Sequence, residues 1–271
     1  MKSRQYIIIV CLFFLSLILK NCKKDEFLPD LKGSLVGYVY TFDEFSHVLS
    51  DHSGVLIIAI GKYKIYRTFS DKNGRFEFEN LPAGTYELNF AKPGFGTLRQ
   101  FNIQHLGGEP TVLNMVFDHS INGSAFFLYQ LPATEITYLN IVNDTIYCRC
   151  SLTAMEHEFI YIQLFISLQE NFDTQTAELI LTNLGLVKKG DLFYGQLYYL
   201  TPLERHPGLP FKPGEEIYFK ACASPFYGSG ITLFNHWYLF GIDSYFDYEN
   251  NRIVYPALGK ESAQYSYTMP E

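Results

Sequence analysis

The stretch TFSDKNGRFEFENLPAGTYELNFAKPGF, residues 68–95, decides the fold of the first half of the chain. Asn73-Gly74 separates two runs of alternating apolar and polar residues, and both residues tolerate the positive φ angles that a tight hairpin needs. After this turn Phe76 and Phe78 point to one side of a predicted strand, and the charged residues between them point to the other. Leu81–Gly84 then predicts a second turn before the next strand.

Short alternating runs continue on both sides of this stretch, and 17% of all residues are aromatic, which favours strands. The strands predicted in the first half are Ser34–Thr41, Val55–Gly61, Lys64–Ser70, Arg75–Asn80, Thr85–Ala91, Thr97–Gln104 and Thr111–Phe117. Those predicted in the second half are Ser124–Leu131, Thr145–Thr153, Phe159–Leu168, Ala177–Thr182, Leu192–Leu200, Glu216–Ala223 and Phe234–Gly241. We therefore predict an all-β chain with two β-sandwich domains in tandem, over residues 33–118 and, with a C-terminal tail, 119–271.

The residues of the first half carry a family resemblance. The pattern is Thr68-x-x-Asp71-x-x-Gly74-x-Phe76-x-Phe78, then Leu81-Pro82-x-Gly84-x-Tyr86-x-Leu88, then Pro93-Gly94-Phe95. It resembles the carboxypeptidase regulatory-like family, over residues 33–118. The resemblance implies a transthyretin-like sandwich of seven strands that is not catalytic. Where the family has a Gly-x-Pro-Leu-x-Gly-Ala turn, this chain has His52-Ser53-Gly54-Val55.

The second half carries one further motif. The segment FKPGEEIYFKACA, residues 211–223, resembles the Pro-Gly-x-x-Tyr-x-x-x-Ala pattern of late strands in fibronectin type III and immunoglobulin-like domains. This resemblance implies an immunoglobulin-like or fibronectin III-like second sandwich.

The N-terminal sequence is typical of a secretory signal. Lys2 and Arg4 precede an apolar run from Tyr6 to Leu19, which is shorter than the ~20 residues of a transmembrane helix. Leu19-Lys20-Asn21-Cys22 resembles a bacterial lipobox. The resemblance implies a lipoprotein signal peptide over residues 1–21, a lipid on Cys22 and a lipidated tether over residues 22–32. The alternative is an uncleaved N-terminal anchor.

Lys23-Lys24-Asp25-Glu26 follows the lipidation cysteine. A lysine followed by two acids resembles the surface-export tag of some Gram-negative lipoproteins. We therefore expect an outer-membrane lipoprotein of the cell envelope that is exposed on the cell surface. A solvated tether that holds the domain off the bilayer is the alternative interpretation.

Charge and motifs exclude several functions. The formal net charge is -7 and no basic stripe is present, so we predict no nucleic-acid partner. No His-x-x-x-His, Gly-x-Ser-x-Gly or phosphate-binding glycine loop occurs. We therefore predict no enzyme, no catalytic residues, no cofactor and no metal. An enzyme with unrecognised catalytic carboxylates is retained as the third hypothesis.

Cys148 and Cys150 lie two positions apart on one predicted strand and share a face with Ile146. Three interpretations stay open for them. They pack in the core, or one forms a disulfide with Cys222, or the three thiols bind a metal.

The aromatic segment around Trp237 is the candidate ligand-binding site. Trp237, Tyr238, Tyr245 and Tyr248 lie close together in sequence, and sugar rings stack on such side chains. The alternative is that they fill a core or belong to an ordinary strand surface.

The preferred function is a non-catalytic, membrane-anchored lipoprotein with a structural, adhesive or partner-binding role. A carbohydrate-binding lipoprotein of a glycan-uptake system is the second hypothesis, so the expected partners are a membrane and a glycan or a protein.

Overall fold

Strands make up nearly all the regular structure of the computed structural model. It describes residues 31–113, 125–142, 145–197, 211–225, 231–233, 245–247, 252–255 and 257–269. Two short 3-10 helices, Leu152–Glu156 and Thr174–Thr176, are the helical elements within these ranges. The prediction of an all-β chain of sandwich type is confirmed.

Within the described residues, the first sandwich has eight strands. They are β1 (Lys32–Phe42), β2 (Leu56–Ile60), β3 (Ile65–Phe69), β4 (Arg75–Pro82), β5 (Gly84–Ala91), β6 (Leu98–His105), β7 (Thr111–Val112) and β8 (Phe126–Tyr129). One sheet has the order β4-β1-β7, with β8 also paired to β1, and the other has the order β3-β2-β5-β6. The pairs β1–β7 and β1–β8 are parallel.

The first core lies between these two sheets. Leu35 and Val39 from β1 meet Ile57 from β2, and all three are fully buried. Phe76 and Phe78 are buried in the same cluster, as their spacing predicts. Each such side chain contributes roughly 1.5–3 kcal/mol when it leaves water.

The Asn73-Gly74 turn joins the two sheets. The Asp71 carboxylate accepts hydrogen bonds from the N–H groups of Asn73 (2.8 Å) and Arg75 (3.0 Å). Gly74 has φ +81°, and a Cβ there would lie 2.3 Å from the carbonyl oxygen of Val39. The turn forms, but the predicted hairpin pairing is wrong, because β3 and β4 belong to different sheets. Gly74 instead lets the chain approach β1.

Strand β8 differs from its predicted place. The run Ser124–Leu131 was expected to begin the second half, yet Phe126–Tyr129 pairs with Val39–Phe42 of β1. Phe126 and Leu128 are buried in the first core. The alternating pattern predicts the strand correctly, but it does not say which sheet completes it. The division of the chain at residue 118 into two domains stays a prediction.

The second half has ten strands within the described ranges. They are β9 (Ile136–Val142), β10 (Thr145–Cys150), β11 (Phe159–Ser167), β12 (Leu179–Lys189), β13 (Leu192–Gln196), β14 (Glu216–Ala223), β15 (Ile231–Leu233), β16 (Tyr245–Asp247), β17 (Arg252–Val254) and β18 (Tyr265–Thr268). One sheet has the order β18-β14-β11-β12-β13-β10-β9, with β15 paired to β12. Strands β16 and β17 form a separate pair.

This sheet folds back on itself around the second core. Leu139 from β9 and Ile146 from β10 share one buried cluster with Ile162 from β11 and Phe219 from β14. β9 also comes into contact with β14 and β18 at the other end of the strand order. The two layers of the second sandwich are thus parts of one continuous sheet.

A loop after β1 touches the second core. The Asp43 carboxylate accepts hydrogen bonds from the N–H groups of Phe45 (2.9 Å) and His47 (2.8 Å), which holds the loop in a tight turn. Phe45 packs against the second core and stacks on His157, with ring centroids 3.5 Å apart. The Glu44 carboxylate accepts the N–H of Thr134 at 3.0 Å. The contacts of Phe45 and Glu44 therefore link the first sandwich to the second core, in addition to the chain itself.

Candidate functional site

The three cysteines within the described residues are buried and free. Cys148 and Cys150 are buried in the second core with their sulfur atoms 3.3 Å apart. Cys222 lies in a third cluster with Phe165 and Phe172, on the opposite face of the sheet. Core packing is the interpretation that this arrangement bears out. The alternative of a disulfide to Cys222 is wrong. Alternate residues of β14 face opposite sides, so the sheet separates Cys222 from the other two thiols.

The thiols of Cys148 and Cys222 are poor nucleophiles and poor metal ligands. The hydrogen bond with Cys150 and burial raise the pKa of the Cys148 thiol. Burial raises the pKa of Cys222 to about 12. Both groups are protonated at neutral pH, whereas thiolates do the chemistry of reactive cysteines.

Over the described ranges, no group of three or more His, Cys, Asp or Glu side chains is placed to hold a metal ion. The same residues form no helix that is long and apolar enough to cross a membrane.

His52 is a buried histidine with a structural role. Its Nδ1 accepts a hydrogen bond from the backbone N–H of Thr41 at 3.0 Å. Because that N–H can only donate, Nδ1 carries no proton and the neutral ring has its proton on Nε2. The ring also packs edge-on against Tyr40, with centroids 5.0 Å apart. Burial lowers the pKa of His52.

The Ser70 hydroxyl makes two further hydrogen bonds that fix the loop around His52. Ser70 donates its hydroxyl to the carbonyl oxygen of His52 at 2.6 Å and accepts the N–H of Val55 at 3.0 Å. His105 plays a similar part elsewhere, since its Nε2 lies 3.0 Å from the carbonyl oxygen of Leu81 and its Nδ1 lies 2.9 Å from the Thr111 hydroxyl. These buried polar groups hold strands and loops together, so they are not free for chemistry on a substrate.

The most distinctive surface lies on the sheet β3-β2-β5-β6, on the side away from the first core. We call it the outer face. Strand β2 reads LIIAI, and the residues that do not enter the core, Leu56, Ile58 and Ile60, point to the outer face. A strand that is apolar on both sides is typical of a sheet covered on both sides. Here β2 is flanked by β3 and β5, and its outward side chains are only half-buried.

Strand β3 borders the outer face. Its register places Phe69 opposite Leu56 and Ile65 opposite Ile60. Phe69 is 63% exposed and Ile65 is 47% exposed, with Arg67 between them. In the part of the chain that the structure describes, β3 is the last strand of its sheet. Large exposed apolar side chains on an edge strand favour unwanted association, so proteins normally avoid them unless a partner binds there.

The other side of the outer face is polar. Arg99 of β6 donates from Nε to the Glu87 carboxylate at 2.7 Å. The Arg99 guanidinium also lies over the Phe101 ring, 5.1 Å from its centroid. The outer face therefore runs from an apolar edge at β3 to a paired charge beside an aromatic ring at β6.

Sequence reasoning missed this surface. The five-residue apolar run Leu56–Ile60 was the available signal, since period two leaves three large side chains on the side away from the core. Trp237, Tyr238 and Tyr248 are outside the described residues, as is Cys22. Tyr245 begins β16, where its backbone pairs with Val254.

Residues 52–118 match the family model of the carboxypeptidase regulatory-like domain. This stretch is therefore a domain of that kind, as its sequence pattern predicts. The domain includes β2 to β7, and with them the outer face. No curated protein sequence matches the chain.

Several solved structures resemble the chain weakly. A type II cohesin–X-dockerin complex from Acetivibrio cellulolyticus matches at 21% identity over 30% of this chain and 51% of that chain, with a TM-score of 0.24. The chain thus spans about half the length of that relative. A candidate carbohydrate-binding protein from Bacteroides uniformis matches at 14% identity over 71% of this chain and 89% of that chain, with a TM-score of 0.26. A DUF3823 family protein from Parabacteroides merdae matches at 12% identity over 72% of this chain and 91% of that chain, with a TM-score of 0.24.

The neutral His52 ring makes stability depend on pH. Since burial lowers its pKa in the folded state, the unfolded chain binds the proton first, and stability falls as pH drops below about 6.5. His52→Asn keeps an acceptor for the Thr41 N–H but cannot titrate. We expect it to cost about 1 kcal/mol at neutral pH and to flatten the pH dependence. Urea unfolding between about pH 7.5 and 5 measures both effects.

The control for this measurement is Ser70→Ala, which removes the hydroxyl that donates to the His52 carbonyl oxygen and so weakens the same loop without removing a titratable group. It should lower stability and keep the pH dependence of the unmodified chain. If His52→Asn loses stability with falling pH as steeply as the unmodified chain does, His52 is not the group responsible.

Proposed function

We propose that this chain is a non-catalytic binding protein of the cell envelope, anchored to a membrane through a lipid on Cys22. The outer face of the first sandwich receives its partner. The single observation that carries the binding role is the exposed apolar edge formed by Ile65 and Phe69 on β3.

A protein partner fits this edge best. Burying apolar surface contributes about 25 cal/mol per Å², and Phe69 and Ile65 present such surface together with the guanidinium of Arg67. Aromatic and Arg side chains are enriched at the energetic centres of protein interfaces. An edge strand also offers main-chain hydrogen-bonding groups to an added strand. The proposed partner is therefore a protein with an extended apolar segment that pairs along β3.

The buried polar groups support a role without catalysis. His52 and His105, which have the chemistry of general bases, are buried and held by hydrogen bonds to Thr41, Leu81 and Thr111. The Cys148 thiol is buried and protonated at neutral pH. Each of these groups therefore serves the fold of the described residues.

A glycan is the alternative partner, and one observation favours it. Arg99 and Glu87 form an ion pair beside the Phe101 ring on the outer face. An aromatic ring next to charged hydrogen-bonding groups is suited to a sugar, whose C–H face stacks while its hydroxyls bind the charges. This charged and aromatic site on β6 differs in chemistry from the apolar edge at β3. Variants at the two sites therefore distinguish a glycan partner from a protein partner.

The proposed anchor is the diacylglycerol of a bacterial lipoprotein, at the outer membrane and with the domains facing the cell exterior. Its support is the lipobox-like Leu19–Cys22 after an apolar run that is short for a membrane span. The charged residues Lys23–Glu26 support the outward orientation.

The anchor is tested by Cys22→Ala. This variant should lose membrane association, because the acyl chains supply the membrane affinity in this proposal. Cell fractionation with high-salt and carbonate washes measures the distribution, and Cys148→Ala serves as the matched cysteine control. A Cys22→Ala protein that stays in the washed membrane fraction contradicts lipid anchoring.

The binding surface is tested by the double variant Ile65→Ser, Phe69→Ser. Both side chains are exposed, so the melting temperature should change little. Loss of about 1.4 kcal/mol of interface energy lowers affinity tenfold, and we expect at least this loss for the protein recovered by cross-linking in the native envelope. Val187→Ser, also at an exposed apolar position but on β12, is the control.

Three outcomes decide between the partners. Loss of the cross-linked protein in the β3 variant alone supports the proposal. Equal recovery with the β3 variant and with Val187→Ser contradicts it. Binding to a glycan array that Phe101→Ala removes and the β3 variant leaves intact supports the glycan alternative.

A further inference from the structure

One end of the first sandwich gathers three loops. Strand β1 begins there at Lys32, and its backbone carbonyl accepts the N–H of Gly108 at 3.1 Å, which places the loop after β6 beside it. The tip of the β2–β3 hairpin, Lys62-Tyr63, lies at the same end. Gly61 packs beside Tyr86, close to the start of β5, and a Cβ at Gly61 would lie 2.7 Å from the Tyr86 ring. We call this the tether end, since the chain arrives here from Cys22.

The tether end exposes large apolar side chains on loops. Tyr63 is 88% exposed and Leu106 is 77% exposed. Neither side chain enters the first core. Loop tips in water are normally polar, so two large exposed apolar groups at one end point to an environment less polar than water.

Basic residues surround these apolar groups. Lys62 places its ammonium 5.0 Å from the centroid of the Tyr63 ring, and Lys64 places its own 5.1 Å from that of Tyr66. Lys32 lies at the same end, and Glu109 is the acid of the adjoining loop. Residues 31–33, 61–64 and 105–109 thus hold three Lys and one Glu, a net charge of +2, in a chain whose net charge is -7.

The chain before β1 is short. Leu31 follows Cys22 by nine positions, which an extended chain spans in at most about 30 Å. If Cys22 carries a lipid, as in the proposed function, the tether end is the part of the first sandwich that the anchor holds closest to the bilayer.

We infer that the tether end contacts the headgroup region of an anionic lipid membrane. Tyr63 and Leu106 enter the interface, where Tyr side chains are enriched in membrane proteins. The ammonium groups of Lys62 and Lys64 bind lipid phosphates, while their aliphatic stems cover apolar surface. The inference deepens the proposed anchoring, because it orients the domain so that the edge of the outer face at β3 rises from the membrane.

The test uses the chain that begins at Lys23, since Lys32–Glu271 forms a compact unit separate from the preceding residues. The probe is co-sedimentation at low ionic strength with phosphatidylcholine vesicles that contain roughly 30% phosphatidylglycerol, compared with phosphatidylcholine alone. We expect binding to the anionic vesicles. The variants Tyr63→Ser with Leu106→Ser, and Lys62→Gln with Lys64→Gln, should each lower it at least tenfold with little change in melting temperature.

Val48→Ser is the matched control, since Val48 is an exposed apolar residue bridged to Phe42, at the opposite end of the same sandwich. It should bind vesicles like the unmodified chain, and so should Phe69→Ser. Three results would each overturn the inference: no binding to anionic vesicles, an equal loss with Val48→Ser, or a dimer in solution that Tyr63→Ser abolishes. Because this chain lacks Cys22, the result does not depend on lipidation, and failure here leaves the anchor test unaffected.

Discussion

The hydrogen-bonded pairing of β1 is the constraint on which the first sandwich depends. Over Lys32–Phe42 this strand pairs with β4 on one edge and with β7 and β8 on the other. Its side chains Leu35 and Val39 are fully buried between the two sheets. Near its end the N–H of Thr41 is held by His52, and the loop that follows carries Phe45 onto the second core. One strand thus pairs with three others, fills part of the core between the two sheets and leads into the contact with the second half.

The position of β1 also assigns different roles to different surfaces. Because β1 starts at the tether end, that end follows the proposed lipidation site Cys22 along the chain, and it carries the exposed Tyr63 and its lysines. The outer face belongs to the other sheet, so its apolar edge at β3 stays open to a partner in the part of the chain that the structure describes. The proposed anchoring and the proposed binding can therefore be tested with separate variants, although both surfaces meet in the single hairpin β2–β3.

Local patterns predict some of this architecture and miss the rest. Period two correctly places Phe76 and Phe78 in one core and Cys148 and Cys150 in another, because facing is decided by neighbours along one strand. It does not predict that β8 joins β1, since parallel pairing across a long connection leaves no local signal. The outer face was missed for a related reason. The apolar run of β2 predicts a strand whose side chains are buried on both faces of the sheet, whereas the structure leaves Leu56, Ile58 and Ile60 only half-buried on one face.

The central claim is that β3 is covered by a partner when the protein is in its own envelope. Hydrogen exchange of the backbone amides of Ile65–Phe69 tests it directly, with the anchored protein in native membranes compared with the same protein extracted in detergent. Amides of Phe159–Ser167, in the middle of the second sheet, serve as the internal reference. We expect slower exchange across β3 in the envelope, with the reference unchanged. Equal exchange of the β3 amides in both preparations would contradict it.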